Sequence, residues 1–474
     1  MNEPFEGYGR WWLPNYPELS GIQFFGKVSW NPYSGAILEA PGLDSKVFDH
    51  LSSLFGHGGI LIHGQLDSLP FITLENATLT STTNDHRVTF AAHKIARGVA
   101  VLKCFDDTQL NSLSCEITGL ARWMGGTSIK VENKNKETHV ICSGYRDEKF
   151  TEISGFKINL ARWNRSSYGA DSFSANGAFS VELESEVPFP FVKAMDLMNI
   201  FRDFISLALD RPVVFTAISG ALTGGDHKMP DGKSVPGTID FLTCGNESIA
   251  IKAKAEGKSF RIPFILNQGI ESAKAFKKFH EIRDTNRMAL DFFFSHYYTD
   301  GSFITQQFSD MVHALEGLHR GTRGGTFIDS EKYNKNVLPK LLSAIPDGAD
   351  SNLKQALKKR LEYGNELSLR RRLKELARTH DEYTRQIIGK PTDFADLLAD
   401  SRNNLAHALG AKKTTTEDFL KYFVQLHRAK ILFQLELLLQ IGFPSDFLKE
   451  CIRRFESFEL VLRSAQKTSS DQSD

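Results

Sequence analysis

The 474-residue chain has few cysteines, no long apolar run and no excess of either charge, and each shortage narrows what it can do. Its five cysteines, Cys104, Cys115, Cys142, Cys244 and Cys451, are odd in number and never form a C-x-x-C pair. That argues against a disulfide framework and against a zinc site, and reduced, mainly buried thiols are expected. The longest apolar stretch, residues 431–443, is broken by Gln434, Glu436 and Gln440 and is too short to span a bilayer. The opening MNEPFEGYGRWWLP has no basic segment followed by an apolar run, so a secretory signal is not expected. Basic and acidic residues both number 57, which argues against a protein that coats nucleic acid or membrane indiscriminately; any attraction to a polyanion has to be local. A cytoplasmic protein with no membrane partner is the simplest expectation. At this length two or three domains are expected rather than one core.

From residue 1 to about 258 the pattern is strand-like. Runs rich in β-branched and aromatic residues at 22–30, 59–63, 71–74, 87–91, 114–117, 139–142, 153–160 and 179–183 alternate with turn-forming residues. Such spacing favours an antiparallel sandwich or barrel over a parallel sheet with crossover helices. Over 188–209 the apolar residues fall three or four apart, which predicts an amphipathic helix with Pro188 in its first turn. Two fragments echo each other, Leu120-Ala121-Arg122-Trp123 and Leu160-Ala161-Arg162-Trp163. They predict two similar strand ends with Trp packed and Arg exposed, or, more sharply, a ligand site built from both Arg-Trp pairs. Gly232-Lys233-Ser234 resembles the end of a phosphate-cradling loop, but His227 stands where the first glycine is needed and Pro236 would interrupt the following helix. A surface loop is expected there.

Helical periodicity takes over at about residue 271, in segments 271–298, 303–319, 333–345, 353–365, 369–388, 393–409 and 416–441. The expected architecture is therefore α+β in two parts. An antiparallel β-rich sandwich or barrel-like region covers 1–265, an all-α bundle with its own core covers 271–463, and a polar, flexible tail covers 464–474.

One stretch carries chemistry. Ser401-Arg402-Asn403-Asn404-Leu405-Ala406-His407 lies in the helix predicted to be capped by Thr392-Asp393. Each helical residue advances about 100°, so Asn403 and His407 share a face and Arg402 lies to the side. A guanidinium that stays charged and an imidazole that titrates near neutrality are the two groups needed to cleave an RNA phosphodiester without a metal. His407 would take the proton of a ribose 2′-hydroxyl, Arg402 would hold the nonbridging oxygens, and Asn403 would orient imidazole or phosphate. The products would be a 2′,3′-cyclic phosphate and a 5′-hydroxyl end, and DNA would be refused for want of the nucleophile. One helix makes an imperfect phosphate pocket, whereas two copies across a two-fold axis bring two such pairs into one cleft. A homodimer or higher homo-oligomer sharing the site is expected. Taken alone, an Arg and a His at this spacing are more often a surface cation and a hydrogen-bonded structural imidazole.

Arg402-Asn403-Asn404-Leu405-Ala406-His407 resembles the R-x4-H form of the R-x(4–6)-H signature of HEPN-domain ribonucleases. The segment Ala314-Leu315-Glu316-Gly317-Leu318-His319-Arg320, the basic stretch at 357–373 and the order of a β-rich then a helical half are similar to ApeA-type proteins. So are Ile62-His63-Gly64, Ile72-Thr73-Leu74-Glu75-Asn76 and Gly119-Leu120-Ala121-Arg122-Trp123 in the first half. The resemblance implies an ApeA N-terminal domain followed by an ApeA-like HEPN domain. It also implies endoribonuclease activity in antiphage abortive infection, with transfer RNA as a candidate substrate, a phage-derived activator as a partner and no cofactor.

Residues 351–390 hold eleven Lys or Arg against five acids, an excess of six in a chain that is otherwise balanced. Lys358, Lys359, Arg370, Arg371, Arg372 and Lys374 are the candidates for gripping an RNA backbone, against the plainer expectation of a solvated helix face. Glu316 and His319, three apart on one helix face, would form a second shell to the site or an ordinary structural pair. Met288, Phe292, Phe293 and Phe294 are expected in the core or at a dimer contact. The rival to an enzyme is a non-catalytic protein in which the β domain binds a ligand and the helices only dimerise.

Overall fold

A computed structural model describes residues 3–19, 21–55, 59–67, 70–126, 129–134, 137–142, 146–168, 173–225, 227–228, 234–235, 237–254, 262–407 and 416–462. The chain divides into two compact units, Met1–Phe260 and Arg261–Asp474. The 464–474 tail and the residues Gly232 and Lys233 lie outside the described residues.

The first unit is built on β1 (Phe5–Trp12), β2 (Phe24–Asn31), β3 (Gly35–Ala40), β4 (Ile60–Leu66), β5 (Phe71–Thr83) and β6 (Arg87–Ala92). Strands β4, β1, β2, β3 and β6 pair in that order, and β5 pairs with both β4 and β6, so the six close into an antiparallel barrel. Of the two expected arrangements, sandwich or barrel, it is the barrel that forms. The sequence FFGKVSWN of β2 shows why: Phe24, Val28 and Trp30 point into the core on alternate positions while Lys27 and Ser29 face outward. Trp11 fills the interior, fully buried, and donates its indole N–H to the Gly26 carbonyl at 3.1 Å. A Cβ at position 64 would lie 2.3 Å from the Trp11 ring, so only glycine lets β4 pass behind it. Helix α1 (Ser45–Ser53), capped by the Asp44 carboxylate on Lys46 N at 2.9 Å, adds Val47 and Leu51 to the same core.

Further strands extend the sheet outward from β5. In chain order the remaining strands are β7 (Lys94–Gly98), β8 (Gln109–Ile117), the hairpin β9 (Ile129–Lys134) and β10 (Glu137–Cys142), β11 (Arg146–Ile153), β12 (Phe156–Tyr168), β13 (Phe173–Pro190), β14 (Phe215–Leu222), the short pair β15 (His227–Lys228) and β16 (Ser234–Val235), and β17 (Thr238–Thr243); β9–β10 and β15–β16 form two-stranded sheets of their own. The expected strand over 153–160 forms from Phe156 on as the start of β12, while its first residues make the hairpin turn from β11. Ser154 and Gly155, both at positive φ, supply the reversal. The helix predicted from Pro188 begins at Phe191 as α3 (Phe191–Leu209), because β13 runs on through Pro190. Two prolines one residue apart explain the shift: each biases the residue before it to an extended backbone.

The two Arg-Trp fragments differ in structure. The first is a single helical turn, α2 (Leu120–Trp123), entered through Gly119 at φ +76°, whereas the second lies within β12. Trp123 is buried against Phe150, Phe201 and Phe204 at 5.9 to 6.1 Å, and Arg162 pairs with Glu148 at 2.6 Å. They are not two like strand ends.

The second unit is helical: α4 (Glu247–Lys254) closes the first, and α5 (Ser272–Thr285), α6 (Arg287–Tyr298) and α7 (Ile304–Arg323) open the second. There follow α8 (Ser330–Lys332), a π turn at Tyr333–Val337, α9 (Leu338–Ser343), α10 (Ser351–Glu362), α11 (Leu369–Thr379), α12 (Asp381–Ile388), α13 (Pro391–His407), α14 (Thr416–Gln440) and α15 (Ser445–Cys451). The expected helix over 271–298 breaks at Asn286. Opposite that break α7 presents Gly317 and Gly321; a Cβ on Gly321 would overlap the Asn286 amide, and one on Gly317 would meet Ala289 at 2.9 Å. The stretch 431–443 lies almost wholly in α14, where Ile431, Leu432, Phe433, Leu435, Leu437 and Leu438 are all fully buried. A helical stretch buried on every side, its Gln434 and Glu436 included, belongs at the centre of a bundle. Among the described residues no helix is long and apolar enough to cross a membrane. Phe293 and Phe294 enter this core, Phe292 is half-buried, and Met288 is exposed rather than packed.

Cys104, Cys115, Cys244 and Cys451 are free thiols, of which Cys115 and Cys451 are buried. Burial pushes the Cys115 thiol up, so it stays protonated.

Candidate active site

Helix α13 starts at Pro391, two residues before the expected Asp393, with Lys390 O accepting from Phe394 N at 3.0 Å. Proline suits a first turn because its missing N–H has no helical partner there. The helix buries Phe394, Ala395, Leu398 and Ala399 and ends, as described, on the Arg402 to His407 segment. Ser401 is buried, Arg402 half-buried, and Asn403 and Asn404 exposed. The backbone of His407 is helical; its side chain lies outside the described residues.

Arg402 meets a residue that the motif does not contain. Its Nη2 lies 3.3 Å from Nε2 of His313 on α7, and its Nη1 lies 3.4 Å from Oδ1 of Asn403. The His313 ring packs against Phe292 of α6, centroids 5.6 Å apart. One turn earlier on α7, Asp310 accepts from the Gln306 amide at 2.7 Å, and burial raises its carboxyl pKa. Among the described residues Arg402 makes no ion pair. No local signal marks His313: it is 89 positions from Arg402 and stands at the edge of the apolar stripe of α7.

The predicted basic residues do not behave as one patch. Arg370 is half-exposed and pairs with Asp400 and, at 3.6 Å, Asp396, so it ties α11 to α13 just before Arg402. Arg371 is likewise half-exposed and holds Glu375 at 2.5 Å. Arg372 departs from the expectation: it is fully buried and donates to the carbonyls of Leu367, Gly324 and Gly325 at 3.0 to 3.2 Å. It cannot reach an RNA backbone from there. Lys358 and Lys359 are exposed on α10, and Lys374 is half-buried on α11.

Glu316 and His319 also separate. Glu316 pairs with Arg320 at 3.6 Å, whereas His319 is fully buried, with Nε2 on Glu375 at 2.9 Å and Nδ1 toward Arg372 at 3.4 Å. Burial lowers the His319 pKa, against the Glu375 carboxylate that favours its charged form, so it serves as a neutral Nε2–H donor. Next to it lies a second buried set. Glu436 of α14, fully buried, accepts from Arg323 at 2.5 and 3.2 Å, from His380 at 2.9 Å and from Gln440 at 2.8 Å. Burial alone would raise that carboxyl, but the bonds from His380 and Arg323 hold it down at about 2. These residues tie α7, α11 and α14 together, and α7 and α11 in turn pack against the helix that carries Arg402. Among the described residues no group of three His, Cys, Asp or Glu is arranged to hold a metal.

In the first unit a separate cavity of about 450 Å³ is lined by Pro70, Phe71, Arg97, Val99, Thr238 and Asp240, among others. Arg97 pairs with Asp240 at 3.2 Å and lies 5.0 Å over the Phe5 ring.

Comparison with protein families gives two matches. The model described as ApeA N-terminal domain 1 matches residues 6–253, and the one described as Apea-like HEPN matches residues 309–447, which include both Arg402 and His313. No curated protein and no solved structure matches the chain.

Proposed function

We propose that this chain, which belongs to the ApeA-like HEPN family, is a metal-independent endoribonuclease of bacterial antiphage defence, acting by abortive infection. The observation that carries the reading is a half-buried Arg402 that has no carboxylate partner among the described residues, five residues before a histidine on one helix, within the region matched as HEPN. A guanidinium left unneutralised is suited to a phosphate, since N–H groups from one planar fork can bond two nonbridging oxygens and offset the charge of the transition state. His407 takes the 2′-hydroxyl proton, the 2′-oxygen attacks phosphorus, and the 5′-oxygen leaves. The proton required by that oxygen comes from the second imidazole of a symmetric dimer, which is why a homodimer is part of the reading. Asn403, exposed beside Arg402, orients the phosphate.

Arg370, Arg371, Lys374, Lys358 and Lys359 guide RNA toward the site; Arg371 would exchange Glu375 for a phosphate, while Arg370 adds its charge without giving up Asp396 and Asp400. Transfer RNA is the substrate proposed, because its loops expose unstacked nucleotides. The barrel unit restrains the nuclease until a phage-derived activator arrives.

The test is incubation of the purified protein with total RNA in EDTA, with and without lysate of infected cells as the source of activator, beside Arg402→Ala and His407→Ala. Defined fragments with 5′-hydroxyl ends, labelled by polynucleotide kinase without prior dephosphorylation, are expected from the unaltered protein alone. Equal cleavage by His407→Ala would remove that imidazole from the mechanism. Intact RNA in every lane, including those supplied with lysate of infected cells, would favour a binding protein.

A further inference from the structure

We propose that His313 is the positioning residue for Arg402, holding the guanidinium ready for a phosphate without neutralising it; the inference rests on the ribonuclease reading and names a residue that the R-x4-H motif lacks. Arginine is protonated at every accessible pH, so Nη2 can only donate, and His313 Nε2, 3.3 Å away, must offer a lone pair. The imidazole is therefore neutral in this contact, with its proton on Nδ1. Phe292 backs the ring at 5.6 Å, so the acceptor is fixed by α6 and α7 while the donor comes from α13.

The geometry uses little of what Arg402 has to give. A guanidinium carries five N–H donors; His313 takes one and Asn403 takes another, which leaves three that no other described residue takes. A neutral acceptor also binds more weakly than a charged one, so an RNA phosphate outcompetes or shares the contact. An acid at position 313 would pair with Arg402 and compete with the substrate. An apolar residue would leave the guanidinium free to rotate away. The arrangement suits a cation that must be held still between turnovers and given up to an anion.

The experiment uses the full-length protein with His313→Phe, which keeps an aromatic ring against Phe292 but removes the acceptor, and His313→Gln, whose amide oxygen restores it. The expected result is a kcat lower by about 10- to 100-fold in His313→Phe, less than the roughly 100- to 1,000-fold for losing a transition-state donor outright because Arg402 is still present, and recovery to within about threefold in His313→Gln. The pH–rate profile of the Gln variant should keep its shape, because His313 moves no proton. A Gln variant as slow as the Phe variant would overturn the proposal, as would a Phe variant at full rate. Nitrogen-15 spectra of histidine-labelled protein give a readout apart from cleavage: the His313 signal should report the Nδ1–H tautomer and lose that bias in Arg402→Ala. If the unaltered protein cuts no RNA even with lysate of infected cells present, the ribonuclease reading fails. In that event retention of the tautomer in Arg402→Ala still overturns the contact, and its loss upholds it.

Discussion

Substituting Glu436→Gln removes one negative charge from the centre of the helical bundle and keeps the shape of the side chain. The carboxyl is held at about 2 against an ordinary 4.5, and each pKa unit corresponds to about 1.4 kcal/mol between protonation states, so ionised Glu436 contributes about 3 kcal/mol at neutral pH. Loss of one partner from a buried ion pair costs roughly 3–5 kcal/mol, which agrees, because Arg323 and His380 would be left facing an uncharged amide. For a unit of this size that predicts a Tm lower by about 6–12 °C at pH 7. The pH dependence follows from the direction of the shift. A carboxyl lowered in the folded state stabilises above its unfolded pKa and loses that contribution as pH falls toward its folded pKa. The gap between the two proteins should therefore narrow by about 1 kcal/mol at pH 4 and about 2 kcal/mol at pH 3. Differential scanning calorimetry measures the gap, and amide exchange of α14 assigns the transition to the helical unit. A Gln variant melting within about 2 °C of the parent at pH 7, or one keeping its full deficit at pH 3, would refute the account of the Glu436 network.

Three further outcomes follow from the same structure. Reversing Arg370 and Arg371 to Glu should weaken RNA binding and lower the slope of log K against log salt by about 0.9 for each phosphate no longer neutralised, as read by filter binding; an unchanged slope would leave them as helix ties only. Arg372→Glu should instead unfold the helical unit, since a fully buried guanidinium bonded to three carbonyls would become an anion facing those same oxygens; a normal circular dichroism melt would contradict its burial. Gly64→Ala should destabilise the barrel by roughly 1–3 kcal/mol in urea titration, because its methyl enters the Trp11 ring, and an unaffected midpoint would mean that Trp11 packs otherwise.

Local pattern and remote pairing separate what the sequence discloses from what it conceals. Alternation in β2 and three-four spacing in the helical half are local, and both classes of element are legible from them. Strand β1, with Phe5–Trp12 reading FEGYGRWW, has two glycines and too weak an apolar alternation to stand out. The site divides in the same way. Arg402 and His407 share one helix and can be found by spacing, whereas Arg402 and His313 are 89 residues apart, and Arg323 and Glu436 are 113 apart. Arg372 is the instructive case, because its fate is present in the pattern and masked by its neighbours. A run of three arginines suggests a basic patch, yet position 372 falls in the stripe formed by Leu369, Leu373 and Leu376, three or four residues from two of them. The helical period assigns it to the interior.

The separate uses of the arginines bear on why Arg402 remains without a carboxylate among the described residues. Of the three acids on its own helix, Asp396 and Asp400 stand nearest, and Asp400 is only two residues away. Both are engaged by Arg370 from α11, which keeps their charge from turning toward the end of α13. On the other side Glu375 is shared between Arg371 and His319, and Glu436 is enclosed by Arg323 and His380. These acids are thus occupied in joining helices, and the acceptor left for Arg402 on α7 is an imidazole. A surface ion pair is worth about 1 kcal/mol or less, so Asp400 released from Arg370 would not unfold the bundle. It would be free to compete with a phosphate for Arg402. On this reasoning Arg370→Ala should impair cleavage through a rise in KM for RNA larger than the removal of one phosphate ligand explains, and Arg370→Ala with Asp400→Asn should recover part of it. Equal KM values in the single and double variants would show that the acids of α13 have no hold on Arg402.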